Sequence, residues 1–414
     1  MKKGRFISGI RLLISAVLLA CMNSCISDAQ PGGILAWTHA SKTDADIKTG
    51  ASRLDQYLPL LKGKQVAFVG NHTSRIGKQH LLDSLIYLGI KVRILFSPEH
   101  GFRGKEDAGQ DVNNSRDKKT GLTIISLYGN HKQPSAADLE GADIVLFDLQ
   151  DVGARFYTYL STLHYVMKAC AENHKPLLLL DRPNPNGFYI DGPVMEDKYR
   201  SFVGLHPVPI VYGMTIGEYA QMVNEEGWLG AGLKCDLTIV KLQGYSHSDL
   251  YQLPVPPSPN LGSMPAVYLY PSLCLFEGTV ISVGRGTDHP FEVIGHPKLK
   301  GGTTSFTPHS KPGATNPLYN GKKCVGYDFG EYGREGIFDY KKLKLDWLAL
   351  CYKNYPDKAK FFNSYFTALC GTNSLEEAVK LGKSEEEIRA GWEDGLKKFR
   401  LIRKKYLLYT DFPE

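Results

Sequence analysis

Glu99 follows the apolar run Ile94, Leu95, Phe96 and stands between Pro98 and His100, with Gly101, Phe102, Arg103 and Gly104 behind it. A carboxyl so placed, beside a histidine and near an arginine, can give a proton to a bound ligand or take one from it. Three more apolar runs end in polar residues. The run at 65–69 gives way to Gly70, Asn71, His72 and Thr73; the run at 144–147 to Asp148, Gln150, Asp151 and, past Gly153, Arg155; the run at 177–180 to Asp181, Arg182, Asn184 and Asn186. A fifth stretch, 276–292, sets Glu277, Arg285, Asp288, His289 and Glu292 among glycines. Carboxylates, amides and arginines at four such ends would line a cleft for a hydrogen-bonding ligand, which suits a sugar and not an apolar substrate.

Each residue also has a plainer reading. Glu99 and Asp181 would serve as turn caps, Asn71, Asn184 and Asn186 as turn residues, and any of the arginines as a buried partner of Asp148, Asp151 or Asp181. His100, His289 and His296 carry the right nitrogens for a metal, but their spacing matches no common ligand cluster. Several chemistries lack their motif. The turn after the first run has one glycine where a dinucleotide loop needs three, Gly382-Lys383-Ser384 has Glu377 where a P-loop needs glycine, and neither G-x-S-x-G nor H-E-x-x-H occurs. No cofactor is expected.

The elements that must hold these residues alternate. Apolar runs at 65–70, 91–96, 123–127, 142–149, 176–181 and 237–241 read as strands, and helical periodicity marks 80–88, 157–173 and 215–226. Uniformly apolar strands between helices predict an α/β fold with a parallel sheet covered on both faces, whose ligands bind outside the carboxyl ends of the strands. The alternation stops at Leu253-Pro-Val-Pro-Pro-Ser-Pro-Asn-Leu-Gly262, which is either a domain boundary or a rigid loop over a site. Residues 268–330 read as strands and loops. A last helix is expected behind a capping box of Ser384 and Glu387, with Ile388, Trp392, Leu396, Phe399 and Ile402 on one face.

The 414 residues, 43% hydrophobic and 22% charged, suffice for a sizeable core and suggest two domains or one elaborated domain. The formal charge of +6 includes four basic residues in the first twenty; from Cys21 onward 45 basic face 43 acidic residues, which is no footprint for nucleic acid. Those first residues carry a basic start and a short apolar run and read as a signal peptide, ending in Leu18-Leu19-Ala20-Cys21. This end resembles a bacterial lipobox, which implies a lipid-bearing Cys21, an exported protein in the periplasm or at the cell surface, and a membrane held through the anchor only. Residues 21–45 read as the tether, 46–262 as the first domain and 263–414 as the second. The other cysteines show no C-x-x-C; Cys170 and Cys351 lie on apolar helical faces, as buried thiols do.

Five segments together resemble one family: Ser97-Pro98-Glu99-His100-Gly101, the run DLQDVGARFYTY at 148–159, DRPNPNG at 181–187, PPSPN at 256–260, and EGT with SVGRGTDHPFE between 277 and 292. They are similar, in order, to the NamZ-type exo-β-N-acetylmuramidases, long grouped as a domain of unknown function. The resemblance implies a Rossmann-like N-terminal domain bearing the active site, a smaller α+β C-terminal domain completing the cleft, and release of terminal N-acetylmuramic acid from non-reducing ends of peptidoglycan-derived muropeptides or disaccharides. It also implies that Glu99 is the catalytic glutamate. Glycoside cleavage wants a second group, and His100, Asp148, Asp151, Glu277, Asp288 and Glu292 all qualify by position, as does the acetamido oxygen of the substrate itself. N-Acetylmuramic acid carries a lactyl carboxylate, for which Arg103, Arg155, Arg182 and Arg285 are the candidate readers. Asn71, Asp181, Asn184 and Asn186 at the strand ends, the four arginines, and Glu277, Asp288, His289 and Glu292 of the fifth stretch are expected to bind substrate. A glycan-binding lipoprotein without turnover and a metal-dependent hydrolase of a sugar ester or amide are the competing readings.

Overall fold

Apolar runs closed by turn-forming residues become the strands of a seven-stranded sheet in the order Ser115–Arg116, Thr123–Ser126, Lys91–Ser97, Gln65–Gly70, Ile144–Asp148, Leu177–Leu180, Leu237–Val240. Neighbours pair in parallel except the first two, which are antiparallel. The six parallel strands, counted along the chain, lie 3-2-1-4-5-6, the Rossmann order. This is a computed structural model, and it describes residues 41–102 and 115–413. Cys21 and Arg103 lie outside the described residues.

Burial follows the layers. Ile144–Asp148 and Leu177–Leu180 are buried throughout, whereas Leu237–Val240 at the edge is only partly so. Successive side chains of one strand go to opposite faces: Val145 and Phe147 join one core, Ile144 and Leu146 the other. The expected helices are Leu81–Tyr87, Tyr159–Glu172 and Ile216–Glu225. The last starts at a capping box in which Thr215 and Glu218 satisfy each other's backbone N–H groups. Among the described residues no helix is long and apolar enough to cross a membrane.

The smaller C-terminal domain holds a three-stranded antiparallel sheet, Val293–His296, Cys324–Asp328 and Thr304–Phe306, and a set of short helices. It shares the larger core, where Phe188, Tyr268 and Phe338 meet ring to ring. The sequence expectation of strands and loops from residue 268 is corrected at its start. Met264–Leu273 is a helix, continued by the 3₁₀ turn Cys274–Gly278. The Ser263 hydroxyl caps it, accepting from Ala266 N at 3.2 Å, and Pro265 sits in the first turn, where a missing N–H costs no bond. All ten of its residues are buried, so it has no polar stripe to reveal a helical period. The capping box of Ser384 and Glu387 is present, but the expected single helix is two, Glu385–Ala390 and Glu393–Lys404, parted at Gly391 and Trp392.

Candidate active site

Three strand ends and the C-terminal domain enclose a cavity of about 940 Å³. Glu99 and His100 enter it after Lys91–Ser97, Tyr128 after Thr123–Ser126, and Phe156, Tyr157 and Thr158 after Ile144–Asp148. The other wall comes from Tyr270, Cys274, Glu277, Arg285 and Phe291, from residues 313–318 and from Tyr365. The proline-rich run reaches the site, since Ser258 and Leu261 also line the cavity. It is pinned by the Tyr157 hydroxyl, which donates to Pro257 O at 2.9 Å, and by His72 Nε2, which donates to Pro256 O at 2.8 Å. Seven of the lining side chains are aromatic, flat apolar faces of the kind on which the C–H face of a pyranose rests.

Glu99 is 8% exposed, and its Oε2 accepts from the Thr158 hydroxyl at 2.6 Å. Thr158 precedes the 14-residue helix Tyr159–Glu172, so this hydrogen bond ties the carboxyl to a helix start. His100 beside it is buried and has a backbone φ of 70°, and Phe291 across the cavity has 59°. Non-glycine residues keep such left-handed conformations only where the surrounding structure imposes them. Both of these belong to the cavity wall.

Across the cavity Arg285 Nε donates to Glu277 Oε1 at 2.7 Å, and the guanidinium lies over the Phe291 ring at 5.0 Å. Burial works against its charge, but the Glu277 carboxylate outweighs that and holds the arginine protonated above its usual range. Its two terminal nitrogens make no hydrogen bond among the described residues. Glu277 and Arg285 are each 24% exposed, enough to meet a ligand.

Of the residues expected at the site, the cavity brings together Glu99, His100, Glu277 and Arg285. The others are placed elsewhere. Asp148 is corrected from catalytic candidate to buried partner: Arg182 Nε and Nη2 donate to its two carboxylate oxygens at 2.6 and 2.8 Å, with both side chains at most 1% exposed. Arg182 therefore reads no ligand. Asp151 is buried and accepts from the Tyr212 hydroxyl and from Gly153 N. Arg155 spends Nη1 on Pro193 O and Val208 O, and Nη2 on Leu369 O and Cys370 O, all within 2.9 Å. Burial pulls its pKa down to about 10.

Asp181 binds the Thr215 hydroxyl, Gly217 N and the Tyr409 hydroxyl, tying the second half of the sheet to the C-terminal tail. Asn71 bonds Thr73 and the Tyr159 hydroxyl. Asn184 bonds Met214 O and Asn186 N, and Asn186 bonds Val152 O and Val267 O. Gly153, at φ 79°, leaves the room that the Asn184 amide fills; a Cβ there would stand 2.1 Å from Asn184 Oδ1. Glu292 is buried against the Ser263 hydroxyl, while Asp288 and His289 point outward, Asp288 to Lys311 Nζ at 2.7 Å. Asp181, Asn71, Asn184, Asn186 and Glu292 thus spend their polar atoms inside the fold, while Asp288 and His289 lie at the surface.

Sequence reasoning passed over Thr158, Tyr157 and Phe291, although all three lie in segments already singled out, because it weighed charged residues above hydroxyls and rings. Tyr128, Ser201, Phe202, Tyr365 and residues 313–318 lie in no such segment; only the fold brings them in. Among the described residues no group of three or more His, Cys, Asp or Glu side chains is arranged to hold a metal.

Comparison with known proteins agrees with this architecture. The family description "Exo-beta-N-acetylmuramidase NamZ, N-terminal" matches residues 66–265, and "Exo-beta-N-acetylmuramidase NamZ, C-terminal" matches residues 268–409. The chain is similar to the peptidoglycan beta-N-acetylmuramidase NamZ of Bacillus subtilis (strain 168), with 38% identity over 383 residues, 88% of this chain and 91% of that protein. Crystal structures of two DUF1343 family proteins from Bacteroides fragilis NCTC 9343 are similar to it. One has a TM-score of 0.82 at 46% identity and the other 0.72 at 28%, and each comparison covers 88% of this chain and 99% of that one.

Proposed function

The chain belongs to the exo-beta-N-acetylmuramidase NamZ family and is an exo-acting glycoside hydrolase of peptidoglycan, and we propose that it works with Glu99 as the general acid and Arg285 as the reader of the lactyl carboxylate. The observation that carries the reading is the cavity: among the described residues its carboxylates are Glu99 and Glu277 and its arginine is Arg285. The two carboxylates have different company. Glu277 is committed to Arg285, whereas Glu99 Oε2 is held by a neutral hydroxyl, that of Thr158. Glu99 is therefore the group suited to hand a proton to the leaving glycosidic oxygen and to take one back from water afterwards.

Arg285, held at Nε, presents Nη1 and Nη2 as a fork, the geometry that matches a carboxylate. N-Acetylmuramic acid carries such a carboxylate and N-acetylglucosamine does not. The test is release of N-acetylmuramic acid from the disaccharide N-acetylmuramyl-β-1,4-N-acetylglucosamine. Wild type is expected to cleave it, and Glu99→Gln to bind it without cleavage. Near wild-type turnover by Glu99→Gln removes the assignment.

The leader sequence supports an exported protein acylated on Cys21 and acting on fragments outside the cytoplasm. Cys21→Ala is expected to leave the exported protein soluble; retention in the membrane fraction would remove the anchor.

A further inference from the structure

Tyr365 opens the helix Tyr365–Cys370 and is 42% exposed on the cavity wall. Its position is tied to Glu277. Asn363 donates from Nδ2 to Glu277 O at 3.3 Å and accepts from Tyr365 N at 2.9 Å, and Asn363 N donates to Gly278 O at 3.0 Å. Gly278 packs directly on this helix; a Cβ there would stand 2.3 Å from Phe366 Cα, so the close approach requires glycine. The segments bearing Glu277 and Tyr365 thus form one local assembly.

Glu277, Glu99, Tyr128 and Cys274 all lie near enough to the Tyr365 hydroxyl to act on it electrostatically. Burial first, and then these neighbours, keep the phenol in its neutral, proton-bearing form. A phenol near two carboxylates would be expected to donate to one of them. It donates to neither, and it makes no hydrogen bond among the described residues. Its O–H remains for a ligand.

The covalent order of the sugar says which ligand atom is nearby. This step rests on the reading of Arg285 and Glu99 given above. The lactyl group sits on C3 and the scissile bond on C1, so a cavity-wall group close to both Glu277 and Glu99, as Tyr365 is, faces the C2 that joins them. In N-acetylmuramic acid C2 bears the acetamido group. We infer that Tyr365 is a further specificity-determining residue of this muramidase, its hydroxyl donating to the acetamido carbonyl of the terminal sugar.

The experiment is competitive inhibition by two small sugars, N-acetylmuramic acid and 3-O-lactylglucose, which keeps the lactyl group and has a hydroxyl at C2. It is measured on wild type, Tyr365→Phe and Arg285→Gln. Wild type is expected to prefer the acetylated sugar. Tyr365→Phe should shrink that preference about three- to tenfold, the scale of one neutral hydrogen bond, while its inhibition constant for 3-O-lactylglucose stays within about twofold of wild type. Arg285→Gln should weaken both sugars together and leave the preference unchanged.

An unchanged preference in Tyr365→Phe overturns the inference, and so does equal weakening of both sugars, which would mark a packing role. Failure of the underlying reading looks different. Wild type would then bind neither sugar, or Arg285→Gln would weaken neither.

Discussion

Two regions of this molecule share a composition and differ in what surrounds them. The cavity wall holds Glu99, Glu277 and Arg285; the ends of the strands Ile144–Asp148 and Leu177–Leu180 hold Asp148, Asp151, Arg155, Asp181 and Arg182. In the second region every charge is consumed by the protein. Arg182 closes on Asp148, Arg155 on four carbonyls, and Asp181 on a helix start and the C-terminal tail. In the first, the Arg285–Glu277 pair is partly open to the cavity and a carboxyl accepts from a hydroxyl. The lesson is that a polar residue after a strand becomes a site only if the next layer of chain leaves it a face uncovered. Here the C-terminal domain leaves space over the strands Lys91–Ser97 and Thr123–Ser126, while Tyr212, Thr215 and Tyr409 cover the polar residues further along the sheet.

The sharpest break between the regions is function without stability. Glu99→Gln should lower kcat on the disaccharide by about 10²- to 10⁴-fold, the usual contribution of a general acid, with little change in KM. Its unfolding midpoint should stay near that of wild type, because the amide can still accept from Thr158. Asp148→Ala is the mirror case. It leaves Arg182 charged and buried without its partner, which costs on the order of 3–5 kcal/mol in urea or thermal unfolding. If Asp148→Ala unfolds normally and loses turnover, Asp148 belongs to the site and the comparison fails.

Much of this was legible in the residues. The apolar runs gave each parallel strand to within about two residues, because strands covered on both faces show as unbroken hydrophobic stretches. The Thr215 start and the Ser384 capping box were readable because capping is a local matter of a few neighbouring residues. The helix Met264–Leu273 was not, since an element buried on all sides has no amphipathic signature. Glu99 and Arg285 were legible as candidates, but so were Arg155 and Arg182. Nothing local distinguishes an arginine that faces a ligand from one that faces carbonyls 214 and 215 positions away along the chain. The Thr158 contact to Glu99 spans 59 positions, and Tyr365 meets the site only through the packing of its helix on Gly278.

A smaller effect sharpens the contrast among the arginines. Arg285→Gln should cost about 1.5–3 kcal/mol against a chromogenic β-N-acetylmuraminide, the scale of a hydrogen bond to a charged group, and little against the matching glucosaminide, which has no lactyl carboxylate. Selectivity is the readout, since loss of the Glu277 pair would affect both substrates alike. Arg155→Met should instead lower stability and leave the ratio of the two rates unchanged. An unchanged ratio in Arg285→Gln would move the lactyl contact to another group.

The smallest effect is a slope. Burial raises the carboxyl of Asp151 to about 6, against a hydroxyl and a backbone N–H that pull it down. Its folded pKa thus lies above the ordinary carboxyl value, so between about pH 4 and 6 the native state holds the proton more tightly than the unfolded chain does. The stability this group supports is present at the acidic end and is lost as pH rises through 6, by at most about 1.4 kcal/mol per pH unit. Asp151→Asn keeps the shape and one acceptor oxygen but does not titrate. Subtracting its unfolding free energy from that of wild type at pH 4, 5 and 6 should therefore leave a difference that falls with pH. Working on the difference removes the opposite trend from carboxylates held low by their partners, such as Asp411 beside Arg403, which lose their contribution on the acid side and are common to both proteins. Parallel curves would mean that Tyr212 and Gly153 fully compensate the charge, and Asp151 would then be an ionised framework group and not a neutral one.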